Sequence, residues 1–298
     1  MWIAVTLFAA LVQSVRYVLQ KKLRMGTLGT AAATLSRFFF ALPLLLALAL
    51  IYGVVQGLAM PELSVAFWMF GVVGATGQIL GTLCTVALFQ HRNFAVGATF
   101  KQTEVIQTVI LSVILLGEGV SLWAFGAILV GLLGVIVLSD SPDVSGDWRD
   151  RILNRATALG LGSGLLFGLA STGYRGAATA MDGGDIFLRS TFGLALLTIV
   201  QTAVLLLWLY AREPGQIRAM IAEWRVASLV GVTSMIGSLG WFTAFGLQKA
   251  ALVKAVGQTE LLFSFLFSTF LFGERSTPRE LLGIGVLTLS VVLLVLAT

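Results

Sequence analysis

Apolar runs long enough to cross a lipid bilayer follow one another along almost the whole chain of 298 residues. A transmembrane helix needs about 20 apolar residues, and the Gly, Pro and charged boundaries of these runs predict about ten helices. The predicted ranges are 2–20, 28–52, 64–90, 94–116, 121–138, 156–179, 185–210, 225–247, 251–272 and 280–297. The connections are too short for an ordinary soluble domain, so the sequence predicts an all-α, multi-pass integral membrane protein.

The composition limits the other classes of function. Only 11% of the residues are charged, against about 25% in soluble domains. Most of the 19 basic residues are scattered singly or in small groups between the apolar runs and form no single patch, so no nucleic-acid partner is predicted. Cys84 and His91 are the only residues of their kinds, which excludes a metal site built from His and Cys. No Walker A motif is visible, and we expect neither an enzyme nor a cofactor. The lipid bilayer is the expected surrounding, with no obligate protein partner inferred.

The basic residues of alternate connections are distributed unequally between the two sides of the membrane. One side carries Lys21, Lys22, Arg24, Arg92, Arg149, Arg151, Arg155, Arg212, Arg218, Arg225, Arg275 and Arg279. The other side carries only Lys249. The positive-inside rule makes the first side cytoplasmic. We therefore predict a cell-membrane protein, in the bacterial inner membrane, with both termini outside the cytoplasm.

The second half of the sequence repeats features of the first. A shift of 156 positions, from Gln102 to Gln258, aligns the triplet Gln102-Thr103-Glu104 with Gln258-Thr259-Glu260. The same shift aligns Gly117-Glu118 with Gly273-Glu274. Ungapped polar matches of this kind are hard to obtain from apolar composition alone, and they indicate a duplication.

The duplication divides the chain into a first five-helix repeat at 1–140, a linker loop at 141–154 and a second five-helix repeat at 155–298. Because five is odd, the second copy enters the membrane from the opposite side. We therefore predict two inverted repeats related by an axis in the membrane plane, an arrangement typical of secondary transporters.

These motifs resemble those of the drug/metabolite transporter superfamily, in its EamA-type ten-helix branch. The residues that carry the resemblance are Gly117-Glu118, Ser121, the run Gly126 to Gly131, Gly273-Glu274, Gly283-Ile284-Gly285, and the arginines of the second helix in each half, Arg37 and Arg189. Many relatives have Glu-Pro where this chain has Glu104-Val105 and Glu260-Leu261. The resemblance implies transport of solutes such as amino acids, nucleosides, sugars, cations or drugs, mostly outward.

Glu104 and Glu260 lie near the middle of the fourth and ninth predicted helices, close to the bilayer midplane. Ionisable groups there are costly and usually face a cavity or a partner. The i, i+4 spacing extends them into polar stripes, with Thr108 and Ser112 on the fourth helix. Two interpretations stay open: a solute or proton site, or ion-paired struts with partners such as Lys101.

Polar and aromatic residues of other helices complete the candidate site. The predicted substrate pathway comprises Glu104, Glu260, Gln13, Tyr17, Gln78, Thr82, Gln102, Tyr174, Trp241 and Gln258. The predicted structural buried charges are Arg37, Arg189, Arg16 and Arg175. For Lys254, near a predicted helix end, snorkelling to the interface is the expectation.

Carboxylates and guanidinium groups together suit a zwitterionic solute. The sequence thus favours a secondary transporter, an exporter of amino acids or similar small polar metabolites by alternating access. The alternative is a proton-coupled exporter of cationic drugs, with Glu104 and Glu260 as exchanging acids. The third hypothesis, from a different class, is a membrane scaffold that transports nothing.

Overall fold

A computed structural model describes residues 1–26, 28–88, 101–139, 155–263 and 278–297, which are almost entirely helical. The helices are α1 (Trp2–Met25), α2 (Thr30–Phe39), α3 (Leu42–Gln56), α4 (Val65–Leu88), α5 (Glu104–Leu116), α6 (Leu122–Ser139), α7 (Arg155–Thr179), α8 (Ile186–Arg212), α9 (Pro214–Ala222), α10 (Trp224–Leu247), α11 (Ala250–Gly257) and α12 (Pro278–Leu296). Two short strands, β1 (Glu62–Leu63) and β2 (Met181–Asp182), pair antiparallel. The predicted linker 141–154 and parts of the fourth and ninth predicted helices lie outside the described residues.

Five segments of the described chain are long and apolar enough to cross a membrane. They are Trp2–Arg24, Thr30–Gln56, Val65–Leu88, Ile186–Arg212 and Trp224–Leu247. Shorter apolar helices cover Glu104–Leu116, Leu122–Gly134 and Leu282–Leu296. Bilayers admit spanning segments that satisfy their own backbone hydrogen bonds, which helices do. The helical fold class of a multi-pass membrane protein is therefore confirmed, whereas the count of ten spans stays a prediction.

Two predicted boundaries differ from the structure for identifiable reasons. The predicted helix 28–52 is divided at Phe40, because Pro43 at the start of α3 has no N–H and its ring clashes with the preceding turn. The predicted connection after 210 contains α9, which begins with Pro214, a residue favoured in the first turn of a helix. Met220 of α9 is fully buried, so this short helix packs onto the body of the protein.

The fourth and ninth predicted helices are both interrupted at the repeated triplet. Gln102 and Thr103 form a turn, and helical backbone resumes at Glu104 as the first residue of α5. Gln258 and Thr259 form the same turn after α11, and helical backbone resumes at Glu260. A carboxylate in the first turn of a helix interacts favourably with the helix dipole. Each glutamate therefore sits at a helix start inside the protein rather than in mid-helix.

Glycines bring α4 and α7 into direct backbone contact. A Cβ on Gly77 would lie 2.6 Å from the carbonyl oxygen of Leu166, and one on Gly173 would lie 2.6 Å from the backbone nitrogen of Gly74. Backbones can approach this closely only where side chains are absent. The spacing of Gly77 and Gly81 therefore serves helix packing.

The helices of the two sequence halves pack in matching pairs. In the first half α4 packs against α7 of the second, and α10 of the second half packs against α1 of the first. Likewise α5 packs against α7, as α11 does against α1, and α6 packs against α12. This interleaving places the ends of α5 and α11 beside helices of the other half, where the candidate site lies.

Candidate functional site

A small polar cavity lies where helices of both halves converge. It is lined by Gln13 and Tyr17 of α1, Arg37 of α2, Gln78 of α4, Glu104 of α5, Phe167, Ser171 and Tyr174 of α7, Ser238, Trp241 and Phe245 of α10, and Lys254 of α11. Its volume of about 30 Å³ is enough for one or two water molecules. Ligand pockets usually measure about 300–1,000 Å³. The cavity in this conformation is therefore too small for an amino acid.

Two ion pairs join the halves at the cavity. Lys254 Nζ lies 2.6 Å from Glu104 Oε1, an ionic contact without the angle of a regular hydrogen bond. Lys101 Nζ lies 3.8 Å from Glu260 Oε1. All four side chains are at most 13% exposed, so water screens these charges weakly. Each lysine thus neutralises the glutamate of the opposite half.

Aromatic and amide groups connect the two ion pairs. Gln13 Nε2 donates to Glu260 Oε2 over 2.5 Å, and Trp241 Nε1 donates to Gln13 Oε1 over 3.0 Å. The ammonium of Lys254 lies 4.5 Å from the centre of the Trp241 ring, a cation–π contact. The structure therefore brings both predicted glutamates into one continuous network.

Arg37 is held on a second wall of the cavity by neutral groups. Its Nε donates to Ser234 Oγ over 3.0 Å, Nη1 to Thr82 Oγ1 over 2.8 Å, and Nη2 to Ser238 Oγ over 3.2 Å. With its amide oxygen turned toward the guanidinium, Gln78 accepts from Nη1 and Nη2 over 2.9 Å each. Arg37 is 2% exposed and forms no ion pair with the carboxylates of the described residues. Its hydrogen bonds are satisfied while its charge is not neutralised.

Most predicted pathway residues meet at this cavity, and a few do not line it. Glu260 and Thr82 do not line the cavity but accept hydrogen bonds from residues that do, Glu260 from Gln13 and Thr82 from Arg37. Gln258 is buried and packs against Gly131 of α6. A Cβ added to Gly131 would lie only 2.8 Å from Gln258 Oε1. Gln102 is buried in the turn before α5 and does not line the cavity.

The predicted polar stripe of the fourth helix does not line the cavity. Thr108 Oγ1 donates to the carbonyl oxygen of Glu104 in its own helix. Ser112 Oγ lies 3.4 Å from Thr172 Oγ1 of α7. Both side chains are fully buried, because α7 packs over this face of α5. The i, i+4 spacing identified one helix face correctly, and in this conformation that face packs against α7 rather than bordering the cavity.

Three of the predicted structural arginines lie away from the cavity. Arg175 binds Glu118 with Nη2 to Oε1 at 2.9 Å, and its Nη1 donates to the carbonyl oxygen of Phe245 over 2.8 Å. Arg189, one turn into α8, donates to the carbonyl oxygen of Met181 over 3.1 Å. Arg16 donates to Gln20 Oε1 over 2.6 Å and is buried.

The Gly117-Glu118 motif now has a structural explanation. Gly117 ends α5 with a φ of 66°, a left-handed conformation that glycine adopts without strain. The resulting turn directs Glu118 to Arg175 of the other half. Nearby, Lys249 Nζ donates to the carbonyl oxygen of Gly119 over 2.7 Å. These contacts tie the halves together at one end of the molecule.

Lys254 differs from its prediction. Its side chain is 13% exposed and pairs with Glu104, so it does not snorkel to an interface. The predicted partner of Glu104, Lys101, instead approaches Glu260. The reason is the turn at the repeated triplet, which separates Lys101 from the helical face of Glu104.

Several lining residues were absent from the predicted pathway although helical periodicity signals them. Phe167 and Ser171 lie seven and three residues before Tyr174 on α7. Phe245 lies four residues after Trp241 on α10, an i, i+4 spacing on the same helix face. Among the residues that the structure describes, no cluster of three His, Cys, Asp or Glu could hold a metal ion.

Comparison with known proteins agrees with this architecture. The EamA-like transporter family matches residues 1–140. Residues 1–140 are therefore similar to an EamA-like transporter domain. An uncharacterized transporter of Helicobacter pylori strain J99 is 25% identical over 221 residues, which are 73% of this chain and 71% of that protein. Its counterpart in strain 26695 is 24% identical over the same shares. The predicted relationship to EamA-type transporters is thus confirmed.

The fold of this chain also resembles that of one solved crystal structure. It superposes with a TM-score of 0.70 over 97% of this chain and 99% of the other, at 15% sequence identity. At that identity the likeness establishes the fold alone. Because the superposition covers nearly all of both chains, the shared fold includes the second half of this chain as well as residues 1–140.

Proposed function

We propose that the chain is a secondary transporter that exports amino acids or similarly small polar metabolites by alternating access. Its two inverted five-helix halves, 1–140 and 155–298, would form ten spans with the solute site between them. The observation that carries this proposal is the buried cavity, whose wall combines Arg37, Lys254 and Glu104 from both halves. A zwitterion offers a carboxylate and an ammonium group to such a wall.

The pairing of helices supports movement of one half against the other. Exchanging the halves turns the α4–α7 contact into the α10–α1 contact and leaves the α6–α12 contact unchanged. Two equivalent arrangements of this kind are what an inverted repeat uses to open a site alternately to each side. The cavity of about 30 Å³ fits a closed arrangement, into which a solute enters only after such a movement.

The outward direction in this proposal rests on the resemblance to EamA-type transporters. The location in the inner membrane and the external position of both termini rest on the distribution of basic residues. Proton-coupled export of cationic drugs is favoured less. Glu104 and Glu260 are each engaged by a lysine, so neither carboxylate is available as the counter-charge of a cationic solute. A cationic solute would also have to approach Arg37, whose charge is not neutralised.

Counterflow in liposomes tests the proposal. The purified protein is reconstituted, the vesicles are loaded with a pool of unlabelled amino acids, and uptake of the labelled pool is followed with and without a pH gradient. Saturable uptake that protein-free vesicles lack is expected. Uptake that increases when a pH gradient is imposed would indicate that transport is coupled to protons. Folded protein without flux of any amino acid would contradict the proposal and favour cationic drugs, which are then tested in the same vesicles, or a scaffold.

A further inference from the structure

Charged side chains inside membrane proteins usually pair with one another or with backbone carbonyls. Arg37 has no carboxylate partner among the described residues. Its five N–H groups are directed at two serines, one threonine and one glutamine, all neutral. Neutral acceptors satisfy the hydrogen bonds of a guanidinium but leave its charge uncompensated. The described acids near the cavity are already paired with Lys254 and Lys101. The site therefore carries an excess of positive charge at Arg37.

Arg37 lies between two small internal cavities. Arg37, Gln78, Tyr174 and Ser238 line the cavity of about 30 Å³, and the same four residues line a second cavity of about 10 Å³. A rearrangement of these few side chains would join the two spaces.

Gln78 occupies the place in which a carboxylate would bind. With the amide oriented so that its oxygen faces Arg37, that oxygen lies 2.9 Å from both Nη1 and Nη2 and bridges the two terminal nitrogens of the guanidinium. Carboxylates bind arginine at these nitrogens in bidentate pairs that are shorter and stronger than bonds to neutral groups. Gln78 also lines the cavity, so its side chain has space on the solute side.

We infer that Arg37 binds the carboxylate of the transported solute and that Gln78 fills this position when the solute is absent. This inference rests on the proposed transport function and specifies its substrate class: solutes with a free carboxylate rather than cations or neutral amides. Ser234 and Thr82 hold the guanidinium in place from behind, through Nε and Nη1. Solute binding then neutralises a buried charge that no carboxylate of the described residues neutralises.

The wild-type protein provides the first measurement. Counterflow is compared between a pool of amino acids and the matched pool of their carboxamides, which lack the carboxylate charge but keep the side chains. Preference for the carboxylates by about tenfold or more is expected, because a site built for a polar group rejects analogues that lack it. Equal transport of both pools would overturn the inference, whereas transport of neither would contradict the proposed function instead.

Two variants assign the preference to Arg37. Arg37→Gln removes the charge, and Gln78→Glu places a permanent carboxylate beside the guanidinium. Both are expected to reduce the carboxylate-to-amide ratio about tenfold or more. Because Gln78→Glu supplies the missing counterion, its melting temperature should equal or exceed that of the wild type, which separates loss of recognition from misfolding. Arg189→Gln, which alters an arginine outside the cavity, is the matched control and should keep the wild-type ratio.

Two results would refute the assignment. The first is a Gln78→Glu protein that folds and retains the wild-type ratio. The second is an Arg37→Gln protein that transports both pools with an unchanged ratio. If Arg37→Gln does not fold, Gln78→Glu and the wild-type comparison still decide, since neither removes the arginine.

Discussion

The ion pair between Lys254 and Glu104 allows a quantitative test of the network. Replacing Glu104 by Gln keeps the volume of the side chain but leaves a buried ammonium without its counterion. At the observed 2.6 Å the direct attraction is about 6 kcal/mol for an effective dielectric constant of about 20. Part of that attraction offsets the desolvation of both ions, and removing one partner of a buried pair typically costs about 3–5 kcal/mol. We expect a loss of stability in this range for Glu104→Gln.

Glu260 provides the matched comparison. Its distance of 3.8 Å from Lys101 corresponds to about 4 kcal/mol under the same assumptions. Gln13 also donates to Glu260, and it can retain a hydrogen bond to the amide oxygen of a glutamine. Glu260→Gln should therefore destabilise the protein by about 2 kcal/mol less than Glu104→Gln.

The assay is thermal unfolding in detergent, completed by a double-mutant cycle. Lys254→Met should be destabilising alone, since it leaves the buried Glu104 carboxylate without its nearest counterion. Combined with Glu104→Gln it should recover much of the lost stability, because no unpaired charge then remains. If the two substitutions are simply additive, or if Glu104→Gln melts with the wild type, the ion pair contributes nothing and the reasoning is wrong.

Three further predictions concern packing, topology and the contact at the end of α5. Gly173→Ala should lower the melting temperature by several degrees through backbone clash with α4, whereas Gly162→Ala on the same helix, with no atom within 4 Å of its Cβ, should not; equal melting would refute the close contact. A cysteine introduced at Asp147 in a Cys84→Ser background should be labelled only from the cytoplasmic side in oriented vesicles, and labelling from outside would reverse the topology. Glu118→Gln should cost about 1 kcal/mol, less than Glu104→Gln, because its ion pair is partly solvated; an equal or larger loss would contradict that ordering.

The sequence predicted the helical regions and singled out two glutamates that prove to be largely buried, because the physical signals of both are local. Apolar runs define spans without reference to the rest of the chain, and a carboxylate at the midplane is conspicuous since its burial is costly. The interruption at Gln102-Thr103 was missed. Both residues are compatible with a helix by composition, and only the surrounding structure makes the turn favourable.

The partners of the charged residues could not be predicted from the sequence. Lys101 lies three residues from Glu104, so local spacing favours that pair, yet the structure places Lys101 beside Glu260. The neutral surroundings of Arg37 come from α4 and α10, whose positions follow from helix packing rather than from spacing along the chain. Spacing rules apply within one helix, and this site is assembled from seven.

The ion pairs among the described residues impose a constraint on any movement of the halves. Lys254–Glu104, Lys101–Glu260 and Arg175–Glu118 each join a residue of 1–140 to a residue of 155–298. Separating charges in a weakly screened interior costs several kcal/mol, so intermediate positions of the halves are unfavourable. The protein should then occupy distinct arrangements in which each of these six side chains has a partner. A solute carboxylate bound to Arg37 would add one more charge pair where α2, α4 and α10 meet. This pair would change the relative stability of those arrangements, which is the thermodynamic requirement for transport coupled to binding.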